Sequence, residues 1–228
     1  MLQLYIGNKN YSSWSMRPWV LMREAGIPFE EKLLRFDSFE PGSRFKQAIG
    51  QVSPVGKVPV LVDDGLAVWD TLAIAEYLAE QHPALNLWPA DRAARARARS
   101  VCAEMHSGFT ALRTHWPLNV EASLPDVGQR IWSEHSDVRA DVQRVCDIWT
   151  GLLAEHGGPM LFGNFGIADA YFAPVCVRFR TYQPTLPDAA AAYVQRVLAL
   201  PSVVQWTADA LRERDFLPFE EPHRGHRP

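Results

Sequence analysis

Cysteine is scarce in this 228-residue chain and absent from its first 101 positions; the three present are Cys102, Cys146 and Cys176. An odd number, with neither a CxxC pair nor metal-ligand spacing, argues against a disulfide framework of the secreted kind. The three thiols are expected as small buried hydrophobes, and no metal site is expected. Basic charge is short as well. Lys and Arg number 23 against 26 Asp and Glu, a formal net charge of -3, which argues against nucleic-acid binding, since that requires a basic surface. No apolar run approaches the roughly twenty residues that cross a bilayer, so no membrane partner is expected. The opening Met1-Leu2-Gln3-Leu4-Tyr5-Ile6 lacks the basic and apolar regions of a signal peptide, and the expectation is a soluble, cytoplasmic protein. Repeats and low-complexity segments are missing too.

What is there is a core: 47% of the residues are apolar, enough for one large domain or two small ones sharing an interface. Residues 2–7 read as a buried strand, 17–25 as a helix ended by Gly26, and 29–34 as a second strand. A short irregular helical segment follows at 41–50. Two strands, 58–62 and 66–69, flank Asp63-Asp64-Gly65, a hairpin signal. An amphipathic helix at 70–81 closes a βαβ then ββα order. Beyond the Pro-punctuated linker 83–90, strand patterns stop. One long helix is expected over 91–113 with Asp91 at its N-cap, and further helical stretches over 126–156, 168–182, 189–200 and 203–214. The domains are therefore expected at 1–82 and 91–218. The tail 219–228, with His223 and His226, is expected to be flexible and without a metal role.

Three segments carry chemistry. Tyr11-Ser12-Ser13-Trp14-Ser15-Met16-Arg17-Pro18-Trp19 sets hydroxyls where the first strand passes into a helix, and a helix N-terminus favours an anion, a thiolate included. Ser53-Pro54-Val55-Gly56-Lys57-Val58-Pro59 precedes the third strand, and Trp69-Asp70-Thr71 opens the helix after the fourth. In that order and spacing the segments resemble the glutathione transferase family, the Ser-Ser-x-Ser-x-Arg pattern looking most like its zeta-type, maleylacetoacetate isomerase branch. The resemblance covers essentially the whole chain. It implies an α/β thioredoxin-like N-terminal domain, an all-α C-terminal domain, glutathione as cofactor or co-substrate, a small electrophilic substrate and a homodimer.

Residue by residue, the resemblance implies a cis Val58-Pro59 bond whose Val58 backbone clamps the cysteinyl unit of glutathione, with Lys57 beside it. Thr71 would bind the γ-glutamyl carboxylate at a helix start, Asp70 would cap that helix and approach the ammonium, and Arg44 would lie near the glycyl carboxylate. Ser12 is the best match to the thiol-activating hydroxyl, with Ser13 and Ser15 as close competitors and Arg17 as a nearby cation. Relatives commonly read Ser-Ser-Cys-Ser; Trp14 stands here at the cysteine position, and its indole can reshape the pocket. The missing cysteine also removes the redox nucleophile of glutaredoxin-like and omega-type relatives. Met105, His106, Phe109 and Arg113, with Trp116 after them, are candidates for the second-substrate pocket, although such a stripe is more often core. Arg113, Arg178 and Arg180 are candidates for a substrate carboxylate.

Phe165-Gly166-Ile167-Ala168-Asp169 resembles the family's buried capping box, a folding motif with Asp169 at N3. The Arg92, Arg95, Arg97, Arg99 run is expected on a solvated or dimer-facing surface. No Gly-x-Ser-x-Gly elbow supports a hydrolase. Three functions remain: conjugation of glutathione to an electrophile, glutathione-dependent cis–trans isomerisation of a maleylacetoacetate-type diacid, or a noncatalytic transferase-fold module.

Overall fold

In the computed structural model, which describes residues 1–225, the first hundred residues place four short strands in one sheet: β1 (Gln3–Ile6), β2 (Glu30–Leu33), β3 (Val60–Asp63) and β4 (Leu66–Val68). The order across the sheet is β2-β1-β3-β4, with β1 parallel to β2 and the other pairs antiparallel. Leu4 is paired with Glu31 on one side and Leu61 on the other, so the central strand buries Leu4 and Ile6 completely. Helices α1 (Ser13–Glu24), α2 (Arg44–Gly50) and α3 (Thr71–Gln81) complete the thioredoxin-like half.

Helix α1 begins four residues before the expected start. A proline suits the first turn of a helix, which makes Arg17-Pro18 look like a beginning. Ser12 instead caps the helix, its Oγ accepting from the Ser15 N–H at 3.3 Å, and Pro18 is carried inside it. Burial of Met16, Trp19, Val20 and Met22, all 0% exposed, offsets the hydrogen bond that proline forfeits, at up to about 3 kcal/mol for each large apolar side chain.

The second half is helical: α4 (Arg92–Ser107), α5 (Thr110–His115), α6 (Pro125–Glu134), α7 (Ser136–His156), α8 (Ile167–Tyr182), α9 (Asp188–Leu198) and α10 (Pro201–Glu213). The single helix expected over 91–113 is two. Phe109 adopts φ 54°, and Arg113 Nη1 donates to the His106 and Gly108 carbonyls at 3.2 and 3.3 Å, satisfying groups that the break exposes. The run expected over 126–156 breaks in the same way at His135, where Arg139 donates to the Trp132 and Ser133 carbonyls. A helix end closed by a distant guanidinium leaves no signal in local periodicity.

Helix α8 runs through the middle of the molecule. Asp169 sits at its N3 position, 1% exposed, accepting from the Gly166 and Leu161 N–H groups at 3.0 and 3.1 Å and from the Tyr193 hydroxyl at 2.9 Å. Gly128 lets α6 lie against the end of α8, since a Cβ there would fall 1.8 Å from the Tyr182 carbonyl oxygen. The halves are joined across α1. Trp19 meets Trp206 edge-on at 5.2 Å, and buried Lys9 pairs with Glu31 and Asp209 at 2.9 and 2.8 Å.

The end of the chain differs from expectation. Residues 218–220 form a short 3-10 turn, and Glu221, 5% exposed, accepts from the Tyr11 hydroxyl at 2.7 Å and Asn119 Nδ2 at 2.9 Å and pairs with Arg224. A polar, proline-rich stretch reads locally as a free tail; two of its partners here, Tyr11 and Asn119, lie more than a hundred residues away. His226 falls outside the described residues. Among the described residues no helix is long and apolar enough to cross a membrane.

Candidate active site

A cavity of about 570 Å³ opens between the halves, within the roughly 300–1,000 Å³ usual for small-molecule sites. Tyr11, Ser12, Ser13 and Trp14 form one wall, Lys57 and Val58 a second, and Thr110, Arg113, Thr114, Pro117, Leu118 and Arg178 the wall supplied by the helical half. Phe36, Phe39 and Phe45 make an aromatic side together with Lys46, and Glu220 reaches in from the C-terminal segment. Four cations thus face one carboxylate.

The serines divide by task. Ser15 is fully buried, accepts from the Gly7 N–H at 3.1 Å and lies 2.7 Å from Ser12 Oγ, so it holds the strand to the helix and does not reach the cavity. Ser12, 7% exposed, and half-buried Ser13 line the cavity at the helix start, where the helix dipole adds positive potential. Tyr11 lines it as well, but its hydroxyl is turned to the C-terminal segment, donating to Glu221 and accepting from the Leu217 N–H at 3.3 Å. Burial and the Glu221 carboxylate push that phenol up to about 12. Gly7 is required beside these residues because the Phe36 ring would lie 2.0 Å from any Cβ there.

Arg17 stands behind this wall. Its guanidinium lies 4.4 Å from the Trp14 ring and 4.6 Å from the Tyr171 ring, 3% of the residue is exposed, and Nε and Nη1 are buried with no hydrogen-bond partner. Burial lowers it to about 10, so it stays cationic at neutral pH. Trp14 is wedged between Arg17 and Arg113, the latter 4.8 Å from its ring, and meets His106 edge-on at 5.1 Å. The indole thus lines the cavity and also meets His106, the partner of Asp70.

Neither Asp70 nor Thr71 lines the cavity. Thr71 is 2% exposed and its hydroxyl accepts from the Tyr171 hydroxyl at 2.7 Å. Asp70 Oδ1 accepts from the Leu72 N–H at 2.9 Å, capping α3, and Oδ2 lies 3.3 Å from His106 Nε2. His106 is likewise absent from the cavity lining. Arg44 is also outside, its side chain 93% exposed beside Asp37; Lys46, two residues on, lines the cavity and donates from Nζ to the Gly56 carbonyl at 2.9 Å.

Val58-Pro59 is cis, with Val58 at the cavity and Pro59 buried behind it. Met105, Phe109 and Trp116 belong to the core, at 1%, 6% and 0% exposure. Trp116 stacks on Tyr182 at 5.5 Å, a packing that neither residue's local sequence discloses. Arg113 and Arg178 do face the cavity. Arg178, 5% exposed, donates from Nε to the Trp116 carbonyl at 2.8 Å, and burial lowers it to about 9, still cationic at neutral pH. Among the described residues no carboxylate is paired with either arginine. Arg180 points elsewhere, donating to the Val120 carbonyl at 2.7 Å.

Lys46, the three phenylalanines, Thr110, Thr114 and Glu220 have no counterpart among the sequence-based candidates. Lys46 had a weak signal, a cation two residues after Arg44. Glu220 had none, because only the path of the C-terminal segment brings it in. Burial and the charge of Glu221 push its carboxyl up to about 7.

The chain matches the family models described as "Glutathione S-transferase, N-terminal domain" over residues 11–81 and "Glutathione S-transferase, C-terminal domain" over residues 92–208. It is 34% identical over 109 residues to a probable maleylacetoacetate isomerase of Caenorhabditis elegans, spanning 48% of each chain. It is 29% identical over 175 residues to glutathione S-transferase 1 of Dianthus caryophyllus, spanning 76% of this chain and 75% of that protein. The match thus covers about half the length of the first relative and three quarters of the second. Among solved structures, a glutathione transferase homolog from Burkholderia gl BGR1 with bound glutathione aligns at TM-score 0.68 and 27% identity, over 92% of this chain and 98% of that one.

Proposed function

Because this chain belongs to the glutathione S-transferase family, we propose that its cavity binds glutathione and that Ser12 stabilises the thiolate for addition to a small electrophile. The observation that carries this reading is a hydroxyl at a helix start facing a cavity whose charged side chains are four cations and one carboxylate. Glutathione has two carboxylates and one ammonium, and its thiolate adds a further negative charge, so Lys46, Lys57, Arg113 and Arg178 suit it. Hydroxyl protons are free to choose partners. In the structure the Gly7 N–H and the Ser12 hydroxyl both donate to Ser15 Oγ; on binding, rotation of the two hydroxyls lets Ser15 donate to Ser12 Oγ and turns the Ser12 hydroxyl to the thiolate. Arg17 contributes its field through the Trp14 ring. In conjugation the sulfur forms a bond to the electrophilic carbon and the leaving group departs with its electron pair.

Arg113 and Arg178 favour a second chemistry on the same nucleophile. Two guanidiniums in one cavity, without a carboxylate partner among the described residues, suit a dicarboxylate, and thiolate addition to a cis-enediketo acid followed by bond rotation and expulsion of the thiolate is a glutathione-dependent isomerisation. The deciding assay follows maleylacetone isomerisation with and without glutathione beside conjugation of a chloronitroarene. Isomerisation that requires glutathione and collapses in Arg178→Met selects the isomerase; conjugation alone selects the general transferase. If neither reaction occurs and glutathione does not bind, the reading fails and a noncatalytic module takes its place. Homodimerisation is part of the proposal, tested by light scattering on the eluting protein.

Glu220 adds a pH dependence. Its raised pKa leaves the carboxyl neutral below about 7 and charged above. The cavity then gains a negative charge as pH rises, and glutathione, an anion, binds less well. The KM for glutathione is expected to rise roughly threefold between pH 6 and pH 8, the effect of about 0.7 kcal/mol that one charge exerts across a hydrated cavity. Glu220→Gln should flatten that rise; an unchanged slope in the variant would rule the residue out.

A further inference from the structure

Away from the cavity, three metal-ligating side chains meet where α5 ends against the start of α7. His115 closes α5, His135 links α6 to α7, and Asp137 stands in the first turn of α7; one ligand atom of each lies within 4.8 Å of the others. Among the described residues this is the one group of three such side chains so arranged. The two imidazole rings face each other at 3.8 Å with an interplanar angle of 33°, and His135 Nδ1 is 3.9 Å from Asp137 Oδ1. We propose that His115, His135 and Asp137 form a binding site for a divalent transition-metal ion of the zinc type.

Two imidazoles and one carboxylate are the borderline donors that favour Zn²⁺ and its neighbours over Mg²⁺ or Ca²⁺, which take mainly oxygen ligands. A tetrahedral ion with bonds of about 2.0–2.1 Å needs its ligands about 3.3 Å apart. Side-chain rotations that close the present spacing, at most 4.8 Å, by up to about 1.5 Å meet that requirement, with a fourth position left for water. The backbone beneath the three residues is already held. Leu112 N–H donates to Asp141 Oδ2 at 3.0 Å, tying α5 to α7. Arg139 closes the carbonyls ahead of His135, and His223 Nε2 lies 2.9 Å from the His115 carbonyl oxygen. Binding therefore orders only side chains. Because α5 also carries Thr110, Arg113 and Thr114 to the cavity, an ion on His115 pins the end of a helix that shapes the substrate wall.

The test is calorimetric titration of the untagged, metal-free full chain with Zn²⁺, together with the visible spectrum of the Co²⁺-loaded protein. The expected result is one saturable equivalent and a cobalt spectrum of low coordination number, both lost in the His115→Ala/His135→Ala double variant. Asp137→Asn should weaken binding by more than the roughly 100-fold at which the cost of disturbing a mere supporting group ends. Circular dichroism establishes that the double variant is folded; if it is not, Asp137→Asn with the cobalt spectrum decides. Absence of saturable binding, or binding unchanged in these variants, would overturn the site, as would binding that disappears only when His223 and His226 are replaced.

Discussion

Ser12→Ala is expected to lower kcat/KM for glutathione-dependent turnover about 100-fold, the loss that follows removal of one donor aimed at a developing or stabilised anion. Two effects are combined in that variant and can be separated. Ser12 is also the N-cap of α1, so alanine costs about 1 kcal/mol of stability, whereas glycine at an N-cap costs only a few tenths. Ser12→Gly should therefore restore the melting temperature and leave activity as low as in Ser12→Ala. The thiolate absorbance of bound glutathione, titrated against pH, should show a thiol pKa raised by about one unit or more in both, each unit being about 1.4 kcal/mol. Ser15→Ala, which removes the inner link of the hydroxyl chain, is expected to cost less. If Ser12→Gly turned over at the wild-type rate and Ser13→Ala did not, the thiol partner would be Ser13.

Asp169→Ala is expected to destabilise the fold by about 4 kcal/mol, with the N–H groups of Leu161 and Gly166 and the Tyr193 hydroxyl left without an acceptor. For a chain of this size that corresponds to a melting temperature lower by roughly 10 °C. Burial raises the carboxyl to about 6 against the opposite pull of these three donors, and it is ionised at neutral pH. Asp169→Asn should lose most of the same stability. Its amide presents one acceptor and two donors to a site built only of donors. Calorimetry of both variants decides, and a loss under about 1 kcal/mol in Asp169→Ala would mean that the network contributes little net stability. Kinetic constants measured well below the transition should be unchanged, because Asp169 is no part of the cavity wall.

Much of the fold was legible because the signals are local. A β-rich stretch with an Asp-Gly hairpin turn followed by uninterrupted helical periodicity yields a four-stranded sheet and a helical second half. Helix ends were less legible. The breaks at Phe109 and His135 are stabilised by Arg113 and Arg139 reaching back over the last carbonyls, and Pro18 misplaced the start of α1 by imitating a first turn.

The candidate site divides in the same way. The serine cluster at a strand-to-helix passage and the Val-Pro before β3 are short-range features, readable in the sequence, as is Asp70 as the cap of α3. Which of their neighbours face the cavity is not short-range. Thr71 turns to Tyr171, Ser15 to Gly7, and Met105 and Trp116 to the core, while Glu220 arrives from the far end of the chain because Glu221 is anchored on Tyr11 and Asn119.

The sequence by itself determined the order of elements, the capping of α3 by Asp70, and the presence of hydroxyls where β1 passes into a helix, since each depends on residues within a turn of one another. Only the tertiary structure decided that Thr71 is engaged with Tyr171 and Asp70 with His106, outside the cavity lining, and that Lys46, Arg113, Arg178 and Glu220 share the cavity. The reason is geometric: a helix presents several faces, and which of them meets a cavity is set by the elements docked around it, here α5, α8 and the C-terminal segment against α1.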